Sequence, residues 1–283
     1  MPRVRRYIKQ CGNMIRFSLL ICVYAKENPA FLSQCLDSIL SQTVVPDELI
    51  IVKDGPLPDE LESVLSGLVF PNDVNVIQLP ENVTQGPARA AGVEAAKYEW
   101  VAIMDSDDIC RPDRFEKQLR MIEEHQELAL IGGQIAEFAD NPENIKATRS
   151  VPLEHDEIAS FIKKRNPFNS MTVVFNRDVA LHAGNYRYFA WFEDYDLWAR
   201  IIKNGARCAN LPDILVDARV GNGMYARRRG TSYIRSEWRM QKQLKTLGII
   251  NIFGFIRNVI TRIPVRLLPQ RAIAAVYNRY IRR

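Results

Sequence analysis

The chain has 283 residues, of which 47% are hydrophobic and 25% charged, and this ordinary composition excludes an intrinsically disordered protein. Its length suits one large α/β domain, or such a domain with a C-terminal extension. The five cysteines are scattered and lack the spacing of a zinc or redox motif, which argues against structural zinc and favours a reducing compartment.

The net charge of +5 is unevenly distributed along the chain. Residues 219–283 carry +14, with Glu237 as the lone acid, residues 1–16 carry +5, and the body between them carries −14. The basic tail is able to bind any polyanion, nucleic acid included. Because apolar residues alternate with its arginines, a membrane rich in anionic lipid is the favoured partner, and we expect no nucleic acid.

The N-terminus resembles a signal peptide, because basic residues precede the apolar run 17–25. However, Lys26 to Pro29 follow at once without a small-residue cleavage site, and the run has the length and β-branched content of a buried strand. We therefore expect residues 1–16 to form a basic extension and 17–25 the first strand. Met14 is an alternative start, which would leave residues 1–13 dispensable.

Strands and helices alternate through the first half of the chain. Asn28 and Pro29 supply a cap and a first-turn proline for a helix with an apolar face. Further strands are predicted at 49–53, 74–79 and 100–104, and further helices at 58–66 and 87–97. This alternation predicts a parallel, doubly wound α/β sheet flanked by helices.

Acidic side chains follow two of the predicted strands. Asp105-Ser106-Asp107-Asp108 comes directly after strand 100–104, and Asp54 after strand 49–53. Ligands of open α/β sheets bind beyond the carboxyl ends of the strands. Crowded carboxylates repel one another, so the run predicts a divalent metal site. The alternative is a polar turn that caps the helix expected from Pro112.

A nucleotide fits around these acids. A cation held by carboxylates commonly docks a pyrophosphate, Asp54 could accept a hydrogen bond from a base or ribose, and Tyr24 could stack on that base. Gly86 and Pro87 set a turn at a helix start, with Arg89 in its first turn, where phosphate is favoured. An isolated arginine there is otherwise a surface residue.

The second half of the chain is less regular. We expect strands at 129–137 and 171–175, a helix at 158–164, and a charged loop near 139–156. An apolar stripe then predicts a helix that ends at Gly205 and carries Glu193 and Asp194 at its N-terminus; the stripe is Leu197, Trp198, Ile201 and Ile202. The alternative for these acids is a charge pair stabilised by the helix dipole.

Two cationic segments follow. Residues 219–230 are bounded by glycines and contain Arg227 and Arg228, which suits a flap over a diphosphate; a solvated charge run is the alternative. The tail has an apolar stretch of about ten residues, too short to cross a bilayer. Its interleaved arginines suit helices lying in the membrane interface, or helices packed on the domain with a solvated basic face.

Five motifs in order resemble the family 2 inverting glycosyltransferases of the GT-A fold, over about residues 17–230. They are the first strand with Tyr24, Val52 to Pro56, Asn82 to Gly92, Met104 to Asp108 followed by Arg111 to Arg114, and Phe192 to Asp196. The chain looks most like the bacterial, amylovoran-type branch that builds exopolysaccharide and O-antigen repeat units on a lipid carrier. The resemblance implies a nucleotide-binding half at 17–110, an acceptor half at 111–230 and a basic amphipathic tail at 231–283.

The resemblance also implies a role for each motif residue. Cys22, Tyr24 and Asp54 would line the uracil pocket, Arg89 would contact the nucleotide, Asp105 would lie against the ribose and donor sugar, Asp107 with Asp108 would hold Mg²⁺ or Mn²⁺, and Asp194 would be the catalytic base with Glu193 beside it. Two departures stand out. Lys53 occupies a position where many members have an acid, and no histidine follows residue 194 to complete a metal shell.

The implied activity is inverting hexosyl transfer from a UDP-sugar to an undecaprenyl-diphosphate-linked saccharide, by a peripheral protein on the cytoplasmic face of the plasma membrane. A sugar nucleotidyltransferase is the enzymatic alternative, but it would carry a glycine-rich, basic loop where this chain has Tyr24 to Glu27. The other alternative is a non-catalytic, nucleotide-binding membrane scaffold, which the acids at 105–108 and 193–194 argue against.

Overall fold

The computed structural model describes residues 15–221 and 230–267, and their strands form one mixed sheet. The strands are β1 (Phe17–Tyr24), β2 (Glu48–Asp54), β3 (Asp73–Gln78), β4 (Trp100–Asp105), β5 (Ile109–Cys110), β6 (Leu128–Phe138), β7 (Ile145–Arg149), β8 (Val174–Asn176) and β9 (Arg207–Arg219). Their order is β3-β2-β1-β4-β8-β6-β9-β5, and β7 pairs with β6.

Helices flank this sheet. They are α1 (Pro29–Leu40), α2 (Asp59–Ser66), α3 (Gln85–Ala95), α4 (Arg114–Glu124), α5 (His155–Phe161), α6 (Arg177–His182), α7 (Glu193–Lys203), α8 (Gly230–Thr246) and α9 (Ile252–Leu267). The predicted cap of α1 is confirmed, because the Asn28 side chain accepts a hydrogen bond from the Ala30 amide at 2.9 Å. Helix α3 begins at Gln85, so Arg89 lies beyond the first turn rather than within it.

The four N-terminal strands confirm the predicted parallel arrangement. β1 pairs in parallel with both β2 and β4, and β2 pairs in parallel with β3. In this register Tyr24 lies opposite Asp54, and Cys22 lies opposite Asp105. The carboxyl ends of three strands therefore deliver the predicted ligand-binding residues to one edge of the sheet.

The core lies on both faces of the sheet. Leu20 packs on one face with residues of α3, α7 and α8, whereas its neighbours Leu19 and Ile21 pack on the other face with α1 and α4. This alternation follows from the two-residue period of a strand. Since helices cover both faces, β1 is apolar along almost its whole length.

The second half of the sheet differs from the prediction. Strand β9 had not been predicted, and β7 occupies part of the expected loop at 139–156. The expected strand at 171–175 is divided between a 3-10 helix, Ser170–Thr172, and β8. Strand β8 is antiparallel to both of its neighbours, β4 and β6, whereas β6 and β9 are parallel. The sheet is therefore parallel in its N-terminal part and mixed beyond β4.

Helix α8 packs against both α9 and α7. Met240 and Leu244 of α8 are fully buried and join the core cluster of α3 and α7. Among the residues that the structure describes, no helix is both long enough and apolar enough to span a membrane.

Candidate functional site

A cavity of about 540 Å³ opens at the carboxyl ends of β1, β2 and β4. The predicted residues Cys22, Tyr24, Asp54, Arg89, Asp105, Asp107 and Asp108 all line it. Its volume lies within the range of about 300–1,000 Å³ that is usual for small-molecule sites. The sheet register thus brings residues from four sequence motifs into one pocket.

Asp54 is buried at the end of β2 and lines the cavity. Its Oδ1 accepts a hydrogen bond from the Val83 amide at 2.7 Å, and its Oδ2 accepts from Asn82 Nδ2 at 2.9 Å. Burial raises the pKa of this carboxyl, and the backbone donors oppose that rise. Lys53, beside it on β2, forms an ion pair with Glu62 at 2.5 Å. This contact with α2 gives Lys53 a structural partner outside the cavity.

Cys22 also borders the cavity. Burial raises the pKa of its thiol to about 12, although the nearby Arg89 charge opposes that rise. The thiol is therefore protonated at neutral pH and serves as a neutral wall rather than as a nucleophile.

Arg89 connects the cavity to the acids of α7. The side chain is 3% exposed, and its Nη2 lies 2.6 Å from Asp105 Oδ1. The Gln85 amide is satisfied when its nitrogen donates to Glu193 Oε1 at 2.9 Å and its oxygen accepts from Arg89 Nη2 at 2.8 Å. Burial opposes the charge of Arg89, but the Asp105 and Glu193 carboxylates outweigh burial and raise its pKa.

The acidic run divides into side chains with different surroundings. Asp108 is buried and its Oδ1 accepts the Arg219 amide at 2.7 Å, which ties the run to the end of β9. Arg219 Nε also donates to the Asp107 carbonyl at 3.1 Å. Burial, followed by the charges of Asp107 and Asp105, raises the pKa of Asp108 well above its usual range. These carboxylates repel one another across the cavity wall.

A divalent cation fits the chemistry of this donor set. Asp107 and Asp108 supply hard oxygen ligands on the cavity wall, and a cation would relieve their repulsion. Within residues 15–221 and 230–267, no group of three or more His, Cys, Asp or Glu side chains is placed to hold a metal. Such a set suits a cation bound by one or two carboxylates together with substrate phosphates.

Glu193 and Asp194 lie at the N-terminus of α7, as predicted, but they are not among the side chains that line the cavity. Asp194 Oδ2 accepts hydrogen bonds from Asn166 Nδ2 at 3.1 Å and from Ser170 Oγ, and its Oδ1 accepts the Tyr195 amide at 2.7 Å. Burial raises the pKa of Asp194, whereas the Arg89 charge opposes that rise.

The pKa of Glu193 is raised to about 7, first by burial and then by the charge of Asp194. Its link to the cavity is Gln85, which does line the wall. The two acids of α7 therefore lie next to the Arg89 side of the cavity, and the charge of this buried arginine opposes the rise in the pKa of both.

Sequence reasoning missed several residues that line the cavity. Glu137 comes from β6, Arg149 from β7 and Met171 from the 3-10 helix. Arg149 also lowers the pKa of Asp194 electrostatically. The charged composition of residues 139–156 is the signal in the sequence that includes Arg149. That composition predicts a loop and does not by itself place Arg149 at a binding site. The predicted flap residues Arg227 and Arg228 lie outside the described residues.

None of the three histidines lines the cavity. His155 Nδ1 lies 3.3 Å from Cys208 Sγ, His125 lies near Glu127, and His182 ends α6. The absence of a third metal ligand after residue 194, noted from the sequence, is not compensated by a histidine from elsewhere.

Sequence comparison finds a family match and related proteins. The sequence profile described as "Glycosyl transferase family 2" matches residues 18–185. The amylovoran biosynthesis glycosyltransferase AmsE of Erwinia amylovora is 39% identical, over 89% of this chain and 96% of its own. A UDP-Gal:alpha-D-GlcNAc-diphosphoundecaprenol beta-1,3-galactosyltransferase of Escherichia coli is 35% identical, over 95% of this chain and 97% of its own.

Structural comparison finds similar folds at low sequence identity. S. aureus TarS 1-349 in complex with UDP-GlcNAc superimposes with a TM-score of 0.66 and 17% identity, over 88% of this chain and 72% of that chain. The mannosyltransferase PcManGT of Pyrobaculum calidifontis, in complex with GDP-Man and Mn²⁺, gives a TM-score of 0.63 and 16% identity, over 92% and 74%. These neighbours confirm the predicted GT-A fold.

Proposed function

This chain belongs to glycosyl transferase family 2, and from that premise we propose that it transfers a hexose from a UDP-sugar to a saccharide linked to undecaprenyl diphosphate. It is a glycosyltransferase of polysaccharide biosynthesis. One observation carries the proposal: a single cavity joins Asp54, Arg89 and the acids 105–108 at the carboxyl ends of parallel strands.

The relatives support the proposed donor and acceptor. The E. coli relative is named for UDP-Gal and for a GlcNAc-diphosphoundecaprenol, and the TarS structure holds UDP-GlcNAc. A UDP-sugar and a lipid-linked saccharide are the substrates we propose for this chain. The choice among hexoses depends on the shape of the pocket and a few hydrogen bonds.

The cavity wall suggests how the donor would lie. We assign the uracil to the end formed by Cys22, Tyr24 and Asp54, because an aromatic face and a carboxylate acceptor meet there. Arg89 and Asp105 would then face the ribose and the sugar. The flap residues Arg227 and Arg228 are assigned to a diphosphate on sequence grounds. In domain terms, residues 17–110 serve the donor, and 111–230 serve the acceptor.

We assign Mg²⁺ or Mn²⁺ to Asp107, with Asp108 beside it. When bound, the cation would neutralise the charge that develops on the departing diphosphate. The protein's own residues prepare the same end of the pocket, since Arg219 holds the backbone of the acidic run against β9. The Mn²⁺ in the PcManGT complex supports the use of a divalent cation by this fold.

Asp194 is the proposed general base, with Glu193 beside it. An acceptor hydroxyl becomes an effective nucleophile when a carboxylate takes its proton. The hydroxyl oxygen would bond to the anomeric carbon as the bond from that carbon to the UDP oxygen breaks, and Asp194 would retain the proton. A single displacement of this kind inverts the anomeric centre. Hydrogen bonds from Asn166, Ser170 and the Tyr195 amide hold the carboxylate in place.

Helices α8 and α9 together form the C-terminal hairpin, residues 230–267, which supports the proposed placement at the inner face of the plasma membrane. Helix α9 exposes an apolar stripe on one side, formed by Ile252, Phe253, Ile256 and Ile260. Away from this stripe, the helix buries the polar side chains of Asn258 and Arg266. The exposed apolar stripe is available to insert into the membrane interface.

Helix α8 adds positive charge beside this stripe. Its exposed side chains include four cations and Trp238, the cations being Arg235, Arg239, Lys242 and Lys245. The Trp238 ring meets the Phe255 ring of α9 edge-on at 5.0 Å, which joins the two exposed surfaces. Cations beside an apolar stripe suit an anionic bilayer, where the lipid-linked acceptor also resides. Arg262 and Arg266, by contrast, turn inward to Glu237.

A donor screen tests the proposed activity. The protein is incubated with Mn²⁺ and UDP-Glc, UDP-Gal or their N-acetyl forms, with and without a GlcNAc-diphosphoundecaprenol acceptor. Release of UDP that depends on one donor and rises with the acceptor is the expected result. Release of nucleoside triphosphate from a sugar nucleotide and pyrophosphate would instead support a nucleotidyltransferase, and no turnover of any donor would contradict the proposal.

A further inference from the structure

The segment after α5, residues 162–166, is held by side chains from two other helices. Three consecutive carbonyls each accept one side-chain hydrogen bond. Tyr195 Oη of α7 donates to Ile162, Asn258 Nδ2 of α9 donates to Lys163 at 2.8 Å, and an Arg262 nitrogen of α9 donates to Lys164. These carbonyls follow the end of a helix, where backbone acceptors lack partners within the helix. The C-terminal hairpin thus supplies donors that fix the path of this segment.

A buried polar layer between α8 and α9 fixes those donors in turn. Glu237 of α8 is fully buried, and its Oε1 lies 2.5 Å from Arg262 Nη1. Gln241 Nε2 donates to the same carboxylate at 3.1 Å, and Gln241 Oε1 accepts from Asn258 Nδ2 at 2.8 Å. Arg266 Nη2 lies 3.5 Å from the other oxygen of this carboxylate, so two arginines of α9 share one buried acid. These contacts hold Asn258 and Arg262 in position between α8 and the segment 162–166.

The other end of the segment reaches the proposed base. Asn166 Nδ2 donates to Asp194 Oδ2 at 3.1 Å, while Asn166 Oδ1 accepts the Phe168 amide at 3.1 Å. The two contacts together define the orientation of the amide group. The residue after the base, Tyr195, also bonds to this segment through its hydroxyl. A continuous set of contacts therefore runs from the C-terminal hairpin to the Asp194 carboxylate.

We propose that the α8–α9 hairpin positions the Asp194 carboxylate for transfer through residues 162–166, with Asn166 and Arg262 as positioning residues. The proposal rests on Asp194 being the base of the proposed function. A displacement of about 1 Å at a reacting group is enough to slow a reaction on the order of a hundredfold. The hairpin would thus serve the chemistry as well as the attachment to a membrane.

Substitution of Asn166 tests the proposal most locally. Asn166→Ala should lower kcat on the order of tenfold and leave the KM for the UDP-sugar unchanged, because the donor end of the cavity is intact. It should also move the ascending limb of the kcat profile to higher pH, since the ionised carboxylate loses a hydrogen-bond donor. A general loss of structure would not shift this limb.

Substitution of Arg262 tests the end of the contact path that lies in the C-terminal hairpin. Arg262→Gln should lower kcat in the same direction, and Arg262→Lys should restore part of it, whereas Arg120→Gln on the exposed face of α4 is the matched control. Circular dichroism checks each fold; if Arg262→Gln does not fold, Asn166→Ala alone decides. Wild-type kcat and an unshifted limb in Asn166→Ala would overturn the positioning role. Full turnover by Asp194→Asn would instead overturn the proposed base.

Discussion

Arg89 Nη2 lies 2.6 Å from Asp105 Oδ1, and this ion pair joins α3 to the end of β4 at the cavity wall. Arg89 is 3% exposed, whereas the Asp105 side chain is 24% exposed. Solvent therefore partly screens the charge of Asp105 but hardly reaches Arg89. Both side chains line the cavity, and we propose that the pair holds Asp105 toward the donor. Its loss is therefore expected to affect stability and donor binding together.

Arg89→Gln should lower the free energy of unfolding by about 2 kcal/mol, less than for a fully buried pair because Asp105 is partly solvated. It should also weaken UDP binding. Urea denaturation and calorimetric titration with UDP measure the two effects. Arg120→Gln breaks the exposed pair with Glu116 and is the matched control, with an expected change below about 1 kcal/mol. Unchanged stability and UDP affinity in Arg89→Gln would contradict this assignment.

The metal assignment predicts a specific loss in Asp107→Ala. Under this assignment Mn²⁺ should raise the UDP affinity of the wild-type protein, and removal of one carboxylate ligand should abolish that increase while binding measured in EDTA changes little. Calorimetric titration with and without Mn²⁺ measures this difference. Asp178→Ala, at an exposed acid on α6, controls for the loss of one negative charge. A full Mn²⁺ effect in Asp107→Ala would exclude Asp107 as a ligand.

Glu193 should make stability fall as pH rises. Burial, followed by the charge of Asp194, raises its pKa in the folded protein to about 7 from an ordinary 4.5. Below pH 4.5 the Glu193 carboxyl is protonated in both the folded and the unfolded state, so it does not change the free energy of unfolding. As pH rises from 4.5 to 7 the unfolded state ionises first, so the folded state loses relative stability.

Glu193→Gln removes this ionisation, so the free energy of unfolding of the variant should depend less on pH than that of wild type. Unfolding by urea is measured for both proteins without ligand at pH 5 and at pH 8. The difference in stability between the variant and wild type should shift in favour of the variant from pH 5 to pH 8. An equal difference between wild type and variant at both pH values would show that the Glu193 pKa is not raised.

The exposed stripe of α9 predicts binding to anionic vesicles. Phe253→Ser combined with Ile260→Ser should lower vesicle partitioning more than tenfold, because burial of each side chain contributes about 1.5–3 kcal/mol. Binding should also weaken at high salt and on neutral vesicles. Flotation of the full chain measures this, with exposed Val69→Ser as the control. Unchanged flotation of the double variant would assign membrane contact to another surface.

The N-terminal half of the fold was predictable because its signals are local. Strand β1 and its neighbours are continuous apolar runs, and the acids that end them are placed by the regular register of a parallel sheet. Seven of the predicted site residues consequently meet in one cavity. In this half of the chain, the apolar residues that the local pattern places in strands are also the residues that the tertiary structure buries.

The second half was less predictable because tertiary pairing decides its structure. Strand β9 contains Pro212 and Asp213, which read as a break, yet its pairing with β6 only shifts register there and resumes at Ile214. Strand β7 is short and none of its residues is fully buried, so it lacks an apolar signature. Arg149 reaches the cavity only through that pairing. Similarly, nothing in sequence spacing links Asn166 to Asp194.

Sugar transfer by wild type and Asp194→Asn tests the central claim most directly. Labelled UDP-sugar, Mn²⁺ and GlcNAc-diphosphoundecaprenol are supplied, and label in the lipid fraction is measured together with UDP affinity. We expect wild type to form a labelled lipid-linked product of inverted configuration, and Asp194→Asn to bind UDP normally but transfer about 10²- to 10⁴-fold more slowly. Full turnover by Asp194→Asn, or no labelled lipid with any UDP-hexose, would contradict the account.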